Sequence, residues 1–344
     1  MDEQEEARKI QFTGKSSYIV SLPKIWITEM GLKRGDQVRM RRQGATEILI
    51  SPQKLRIRKM AKDEAIVEIS STENADTVMR KIISLYFMGF KTIKVKPKNG
   101  RLCTAQRAAV KDVTKRLLMG AEIIYDSSSG VTLQVLVSLI ELTVDGAFKR
   151  MIHLAKAMLS DAIIAAGEEN TDLAKEVIQT DDEVDRFGFY IIRQIEIAVR
   201  NEHMLKEIGF SSLRSCLGYR IVVKNIERTG DQAVLIAMDL IGMKKGLKKS
   251  LHKDINRMSE FAMELIDEAC LAMFKDDYVQ AEKIVTEAAK ISLYEEAVLE
   301  AAGSGDRSAY QARRIAGNLR RIAEYASDIA EIVLNMTVEK TLKN

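Results

Sequence analysis

From residue 142 to residue 338 the apolar side chains recur every three or four positions almost without interruption, the period of helices that bury one face. Six long helices are predicted, over 142–166, 172–201, 211–241, 249–274, 278–301 and 307–337. The breaks between them fall on residues that stop helices: Gly167, Gly209, the 242–246 stretch, Asp276-Asp277, and Gly303 with Gly305. Such short connections favour antiparallel neighbours, so the region reads as helical bundles.

The first 140 residues keep another rhythm, and all three prolines lie among them. Strands at 65–69, 92–96, 121–125 and 131–137 alternate with helices at 74–88 and 104–118, Gly89 and Gly120 closing the helices and 127–130 turning the last two strands. This is a small α/β module over 64–138. It has no glycine-rich phosphate loop and no cluster of reactive side chains, so it reads as a spacer or coupling domain. Residues 8–52 are short strands around one short helix: a β-rich stretch at 17–22, Pro23 at the start of a helix over 24–30, Gly31 at its C-cap, a turn at Gly35-Asp36, and a hairpin of 37–42 with 47–50 across Gly44. A segment of about fifty residues with short strands buries too little apolar area to stand alone, so it is expected to dimerise.

Composition narrows this further. A chain of 344 residues, 46% hydrophobic and 30% charged, is globular and long enough for two or three domains. Its longest apolar stretch, 131–144, is interrupted by Gln134 and Glu141, and its first six residues are acidic, so neither membrane insertion nor a secretory signal is expected and the cytoplasm is the expected compartment. Cys103, Cys216 and Cys270 are too scattered for a disulfide framework or a zinc finger. Charge is unevenly placed. Residues 8–60 hold 13 Lys/Arg against Glu29, Asp36 and Glu47, so a chain of net charge +4 concentrates about +10 at one end. A basic end of this kind fits nucleic acid, although a solvated basic face has the same composition.

The helical region carries an internal duplication. With a shift of 93 positions Arg214 falls on Arg307, Asn225 on Asn318, Arg228 on Arg321, Ala233 on Ala326, Ile236 on Ile329 and Ala237 on Ala330, which points to two three-helix bundles, 142–243 and 248–338. In the first bundle Asp181 with Asp185, and Glu227 with Asp231, form two acid pairs at four-residue spacing, each on one helix face. Like charges so placed repel unless a cation lies between them, which suggests a metal held by hard oxygen ligands; the alternative is a solvated face neutralised by Arg186 and Arg228. In the second bundle the corresponding positions are Arg320, Glu324, Ala288 and Ser292, a charge-compensated surface where no metal is expected. His153, His203 and His252 stand in no motif that positions a general acid or base, so the chain is not expected to be an enzyme.

Two families are recognisable in these residues. Residues 8–52, above all S-L-P-K-I-W (Ser21 to Trp26) and G-L-K-R-G-D (Gly31 to Asp36), resemble the SpoVT/AbrB-type swapped-hairpin DNA-binding domain. That resemblance implies an intertwined homodimer with its strands interlocked into a β-barrel, and DNA contact by basic residues, for which Arg8, Lys9, Lys15, Lys24, Arg39, Arg41 and Arg42 are the candidates. Residues 142–338 resemble PhoU, a phosphate-signalling family built from two three-helix bundles, through D-D-E-V-D (Asp181 to Asp185), L-R (Leu213-Arg214) and N-I-E-R-T-G-D (Asn225 to Asp231), with N-L-R-R-I-A-E (Asn318 to Glu324) as a degenerate copy. It implies that Asp181, Asp185, Glu227 and Asp231 hold an iron, zinc or other divalent metal cluster. Gln232 and Tyr325 stand where the family usually has His.

The expected fold is therefore multidomain α+β: a small swapped-hairpin β-barrel, a small α/β module and an all-α pair of three-helix bundles. The order of domains resembles the phosphate uptake regulators typical of archaea, implying a homodimeric transcriptional regulator that binds DNA and responds to phosphate. A signalling adaptor acting on a phosphate ABC transporter ATPase, with the N-terminal segment used for dimerisation or protein binding, is the alternative.

Overall fold

The computed structural model describes residues 6–14, 17–43, 46–52, 64–136, 142–200, 202–241, 247, 249–303 and 307–342. The chain divides into two compact units at residue 60. In the first, strands β1 (Gln11–Thr13) and β2 (Ser17–Ile19) pair antiparallel, helix α1 (Lys24–Glu29) follows, and β3 (Val38–Gln43) pairs antiparallel with β4 (Glu47–Pro52). Pro23 is the N-cap of α1, its ring holding φ at −60°, and Gly31 ends the helix with φ +67°, where a Cβ would be strained. This unit has almost no interior. Pro23 is its one buried residue among the described residues, while Ile10, Phe12, Tyr18, Ile25, Met40 and Ile48 are 61 to 72% exposed.

The second unit opens with the α/β module. Strand β5 (Glu64–Ile69) crosses over through α2 (Ala75–Phe87) to the parallel strand β6 (Thr92–Pro97); α3 (Thr104–Arg116) follows, and the hairpin β7 (Ala121–Ser127) and β8 (Gly130–Val135) places β8 antiparallel to β6, giving the order β5-β6-β8-β7. Ile82, Tyr86, Val110 and Val113 of the helices meet Ile93, Val95, Val131 and Leu133 of the sheet in its core. Asn74 caps α2 by accepting from the Thr77 amide at 2.9 Å, and Cys103 with Gln106 makes a reciprocal capping box at the start of α3. The last strand ends at Val135, short of the expected 137, a position outside the described residues.

The helical region comprises α4 (Val144–Glu168), α5 (Thr171–Arg200), the short α6 (Glu202–Ile208), α7 (Leu213–Ile241), α8 (Lys249–Lys275), α9 (Tyr278–Ala288), α10 (Ile291–Ala302) and α11 (Arg307–Thr337). Helices α4, α5 and α7 form one bundle, and α8, α11 and the α9/α10 pair form the other; α7 packs on α11, and a single apolar core runs through both. Three expectations need correction. Helix α4 runs through Gly167 and stops at Glu169, in the left-handed region at φ +59°, because Gly167 serves a packing purpose: a Cβ there would lie 2.0 Å from Nε2 of His252 on α8. The helix expected over 278–301 is broken at Ala289-Lys290, two good helix formers, since the chain bends to keep both α9 and α10 on α8 and α11. The extra turn of helix at α6 was not expected; its Leu205 and Ile208 are buried.

The α/β module sits along α5. The Arg193 guanidinium, 5% exposed, donates to the carbonyl oxygens of Tyr86, in the last turn of α2, and of Gly89 and Phe90 just beyond it, and lies 4.7 Å over the Tyr86 ring. Phe189 meets Phe87 edge to face at 5.1 Å, and Gly89, at φ +87°, leaves room for Ile197.

Candidate functional site: a carboxylate face on the first bundle

Helices α5 and α7 pack against each other, and the two acid pairs come together on them. Asp181, Asp185 and Glu227 are half-buried and Asp231 is exposed. Burial, which disfavours the charged form, raises the Asp185 carboxyl to about 7, and the negative charges of Glu227, Asp181 and Asp231 add to it against the opposing pull of Lys224. Asp181 is raised to about 6, again first by burial and then by Asp231, Asp182 and Glu227. The four acids therefore share one electrostatic field. Gly230 of α7 is buried beside them, and a Cβ at that position would stand 3.4 Å from Oδ1 of Asp181, so the glycine lets the helix come up against the carboxylate.

The two arginines of the solvated-face alternative have other partners. Arg186 lies 3.7 Å from Glu183, and the Arg228 guanidinium sits 5.9 Å from the centre of the Tyr325 ring. Glu227 is paired with Lys224; among the described residues no hydrogen bond or ion pair reaches Asp181, Asp185 or Asp231. Hard oxygen donors whose charge Lys224 compensates only in part are of the chemical type that suits a divalent cation. As the side chains stand, no three His, Cys, Asp or Glu residues among those described converge as ligands of one ion, so a closed shell requires the carboxylates to turn toward one another.

The second bundle is different, as its sequence suggested. Arg320, at the position equivalent to Glu227, lies 3.4 Å from Glu295 and 3.6 Å from Glu324. Ala288 ends α9 and Ser292 belongs to α10, so the positions matching Asp181 and Asp185 are separated by the helix break and bear no charge.

One contact at the carboxylate face was not legible beforehand. Arg116, at the end of α3, binds Asp182 through two parallel hydrogen bonds of 2.6 and 2.5 Å and also reaches Asp112 at 3.0 Å. Asp182 lies inside the D-D-E-V-D run, where it reads as one more exposed acid, and its partner is 66 residues away.

In the first unit Arg8, Lys9, Lys24, Arg39 and Arg42 are exposed, Arg8 being paired with Glu6. Arg41 lies on β3, its side chain outside the description, and Lys15 is outside the described residues.

Comparison with known proteins bears on both units. The family model for the PhoU domain matches residues 148–240 and 255–333, half of the chain. The chain belongs to the PhoU family. The bundle boundaries seen in the structure agree with that match, and the PhoU crystal structure from Pseudomonas aeruginosa aligns over 57% of this chain and 96% of its own with a TM-score of 0.51 at 19% identity, which shows a shared fold. A second solved structure, the phosphate transport system regulatory protein PhoU from Streptococcus pneumoniae, has a TM-score of 0.48 at 18% identity and covers 58% of this chain and 96% of that one. The phosphate-specific transport system accessory protein PhoU homolog of Aquifex aeolicus (strain VF5) is 28% identical over 138 residues, 40% of this chain; the chain spans 60% of that relative's length. The N-terminal residues 11–58 match the family model described as antidote-toxin recognition MazE, bacterial antitoxin. Residues 59–147, with the α/β module, lie outside both matches. No described helix is long and apolar enough to cross a membrane.

Proposed function

We propose that this PhoU-family protein is a non-enzymatic, homodimeric regulator of phosphate transport that binds DNA through its N-terminal unit and answers to phosphate status through its helical bundles. The observation that carries the DNA-binding half is a basic unit without an interior: its large apolar side chains lie on the surface, and five of the seven candidate basic residues stand exposed among them. Apolar surface on that scale is covered by another chain, and a second copy with strands interlocked into a β-barrel satisfies it while doubling the basic charge offered to phosphates.

The helical half supplies the signal. Asp181, Asp185, Glu227 and Asp231 would hold an iron, zinc or other divalent cation, which when bound would provide positive charge able to attract an anion; the residues themselves contribute oxygen donors whose mutual repulsion the cation relieves. Anisotropy titration of the full chain against promoter fragments of phosphate-transport genes tests the DNA role. Binding that weakens steeply with salt is expected; absent or salt-insensitive binding overturns it.

The match to an antitoxin family favours one other reading, in which the N-terminal unit grips a protein such as a phosphate transporter ATPase. Capture of that ATPase by a protein with no affinity for any promoter fragment would establish it.

A further inference from the structure

Helix α7 packs on α4, α5 and α11, yet it keeps one stripe in water along its whole length. The stripe steps by three and four residues, the spacing of a seam between two helices: Leu213, Leu217 and Ile221, then Lys224, Arg228 and Asp231, then Leu235, Met238 and Ile241. Its apolar members are 37 to 66% exposed, and so many large apolar side chains in line on one helix mark a surface that another molecule covers. The order along the stripe, apolar, basic, acidic, apolar, decides what fits it. Laid antiparallel on a copy of itself, with the two-fold axis between Glu227 and Arg228, it brings Leu217 onto Met238, Ile221 beside Leu235, Lys224 onto Asp231 and Arg228 onto Glu227, in one register. Laid parallel, it would set Lys224 and Arg228 against their own copies, and like charges so placed repel.

Helix α11 gives a second, separate observation. The ion pair of Asp239 with Arg314 at 2.7 Å and the contact of Arg228 with the Tyr325 ring fix α11 antiparallel to α7 and set their register. The axis that suits α7 therefore crosses α11 between Tyr325 and Ala326. There the exposed Arg321 comes opposite the exposed Asp328 and Glu331 of the copy, so charges match on a helix that played no part in placing the axis. The acids of α5 meet α7 from another side, at Gly230, and their mutual repulsion tilts the pair toward α11. We infer that α7 is a self-association helix: two copies of this chain pair antiparallel through the α7 stripe, with α11 alongside. The pairing requires neither DNA nor a bound cation, and it is distinct from the contact of the N-terminal unit. Charged at its centre and apolar only toward its ends, it is weak by itself and fills when copies are concentrated or tethered.

Cross-linking of the full chain tests register and direction together, in a Cys103→Ser background that leaves the buried Cys216 and Cys270. At about 100 µM protein, where a weak contact is populated, Arg228→Cys beside the axis is expected to give a covalent dimer with a short bis-maleimide. Leu217→Cys alone is expected to give at least about tenfold less, because at 1.5 Å per residue its copy lies about 30 Å away along the paired helices. Leu217→Cys with Met238→Cys in one chain restores the yield. Lys224→Asp should cut the Arg228→Cys yield by about fivefold, and Asp231→Lys added to it should recover most of that loss, a rescue that residues needed only for folding would not show. The same pattern is expected in the Met40→Glu variant, which separates this contact from that of the N-terminal unit. No dimer from Arg228→Cys, equal yield from Leu217→Cys alone, a double swap no better than Lys224→Asp, or loss of the pattern with Met40→Glu overturns the pairing.

Discussion

The guanidinium of Arg193 covers the ring of Tyr86 at 4.7 Å while donating to the carbonyl oxygens of Tyr86, Gly89 and Phe90, so one side chain of α5 holds the end of α2 and the turn that follows it. A helix end buried without partners leaves orphan carbonyls, and a buried guanidinium without acceptors is costlier still; each is present here to satisfy the other. The α/β module and the first bundle are therefore expected to unfold together.

Arg193→Met tests this directly. It preserves much of the volume but strips hydrogen bonds from three carbonyl oxygens, at a cost of about 2–4 kcal/mol. Urea unfolding of wild type should show one transition for the second unit, and the variant two, with the module melting first. Arg193→Lys should rescue little, since an ammonium lacks the planar fork that reaches several acceptors.

The sequence carried more of the bundles than of their connections. Helix faces and most ends were readable because apolar spacing and Gly or Asp breaks are local signals. Arg193 was not: an arginine within an amphipathic helix reads as solvated, and its acceptors lie more than a hundred residues earlier. The break at Ala289-Lys290 was equally invisible, being imposed by packing against residues intrinsically suited to continue the helix. At the candidate site, four-residue spacing exposed the acid pairs, whereas the Arg116 partner of Asp182 required the fold. Gly167 misled for a related reason, since a helix glycine signals either an end or a close approach and only the neighbour decides.

Two helix glycines give predictions of opposite sign. Replacing a helix-interior glycine by alanine normally stabilises by about 0.5–1 kcal/mol. At Gly317 of α11 an added Cβ meets no atom within 4 Å, so Gly317→Ala should raise the melting temperature. At Gly167 it would sit 2.0 to 2.6 Å from three atoms of the His252 ring, so Gly167→Ala should lower stability by about 1–3 kcal/mol. His252→Ala in the Gly167→Ala background should recover most of that loss. Melting curves of the four proteins decide it, and a stabilised Gly167→Ala would show that the α4 to α8 contact is looser than described.

The carboxylate face predicts a pH dependence. Asp185 and Asp181 are raised to about 7 and about 6, so between roughly pH 4 and pH 7 the folded protein holds protons that the unfolded chain has released. Stability is then fully present below the unfolded carboxylate pKa and falls as pH rises through the folded values. In chelator-treated protein, Asp185→Asn should flatten that fall and gain on the order of 2 kcal/mol at pH 8, solvent screening of this half-buried carboxyl keeping the gain modest, with no gain at pH 4. Adding manganese at pH 8 should stabilise wild type more than the variant. A wild-type melting temperature that rises from pH 5 to pH 8 without metal would contradict the geometry.

The N-terminal unit makes the most exposed prediction, because among its described residues the large apolar side chains lie on the surface. Met40 on β3 is paired in register with Ile50 of β4 and is 67% exposed, and Ile48 is exposed to the same extent. If a second copy covers them, each side chain removed from water contributes about 1.5–3 kcal/mol to assembly, and a carboxylate in their place would have to be desolvated. Met40→Glu should therefore convert a dimer into a monomer at micromolar concentration, read by light scattering after gel filtration, while leaving the folding of the helical bundles unchanged. A dimer presents two copies of the basic surface, so the same substitution should reduce promoter affinity far more than loss of one positive charge, such as Lys24→Gln, and should lower the salt slope in proportion. If Met40→Glu remains a dimer, the copies associate elsewhere; if it becomes a monomer that keeps full DNA affinity, dimerisation and DNA binding are separate properties of this unit.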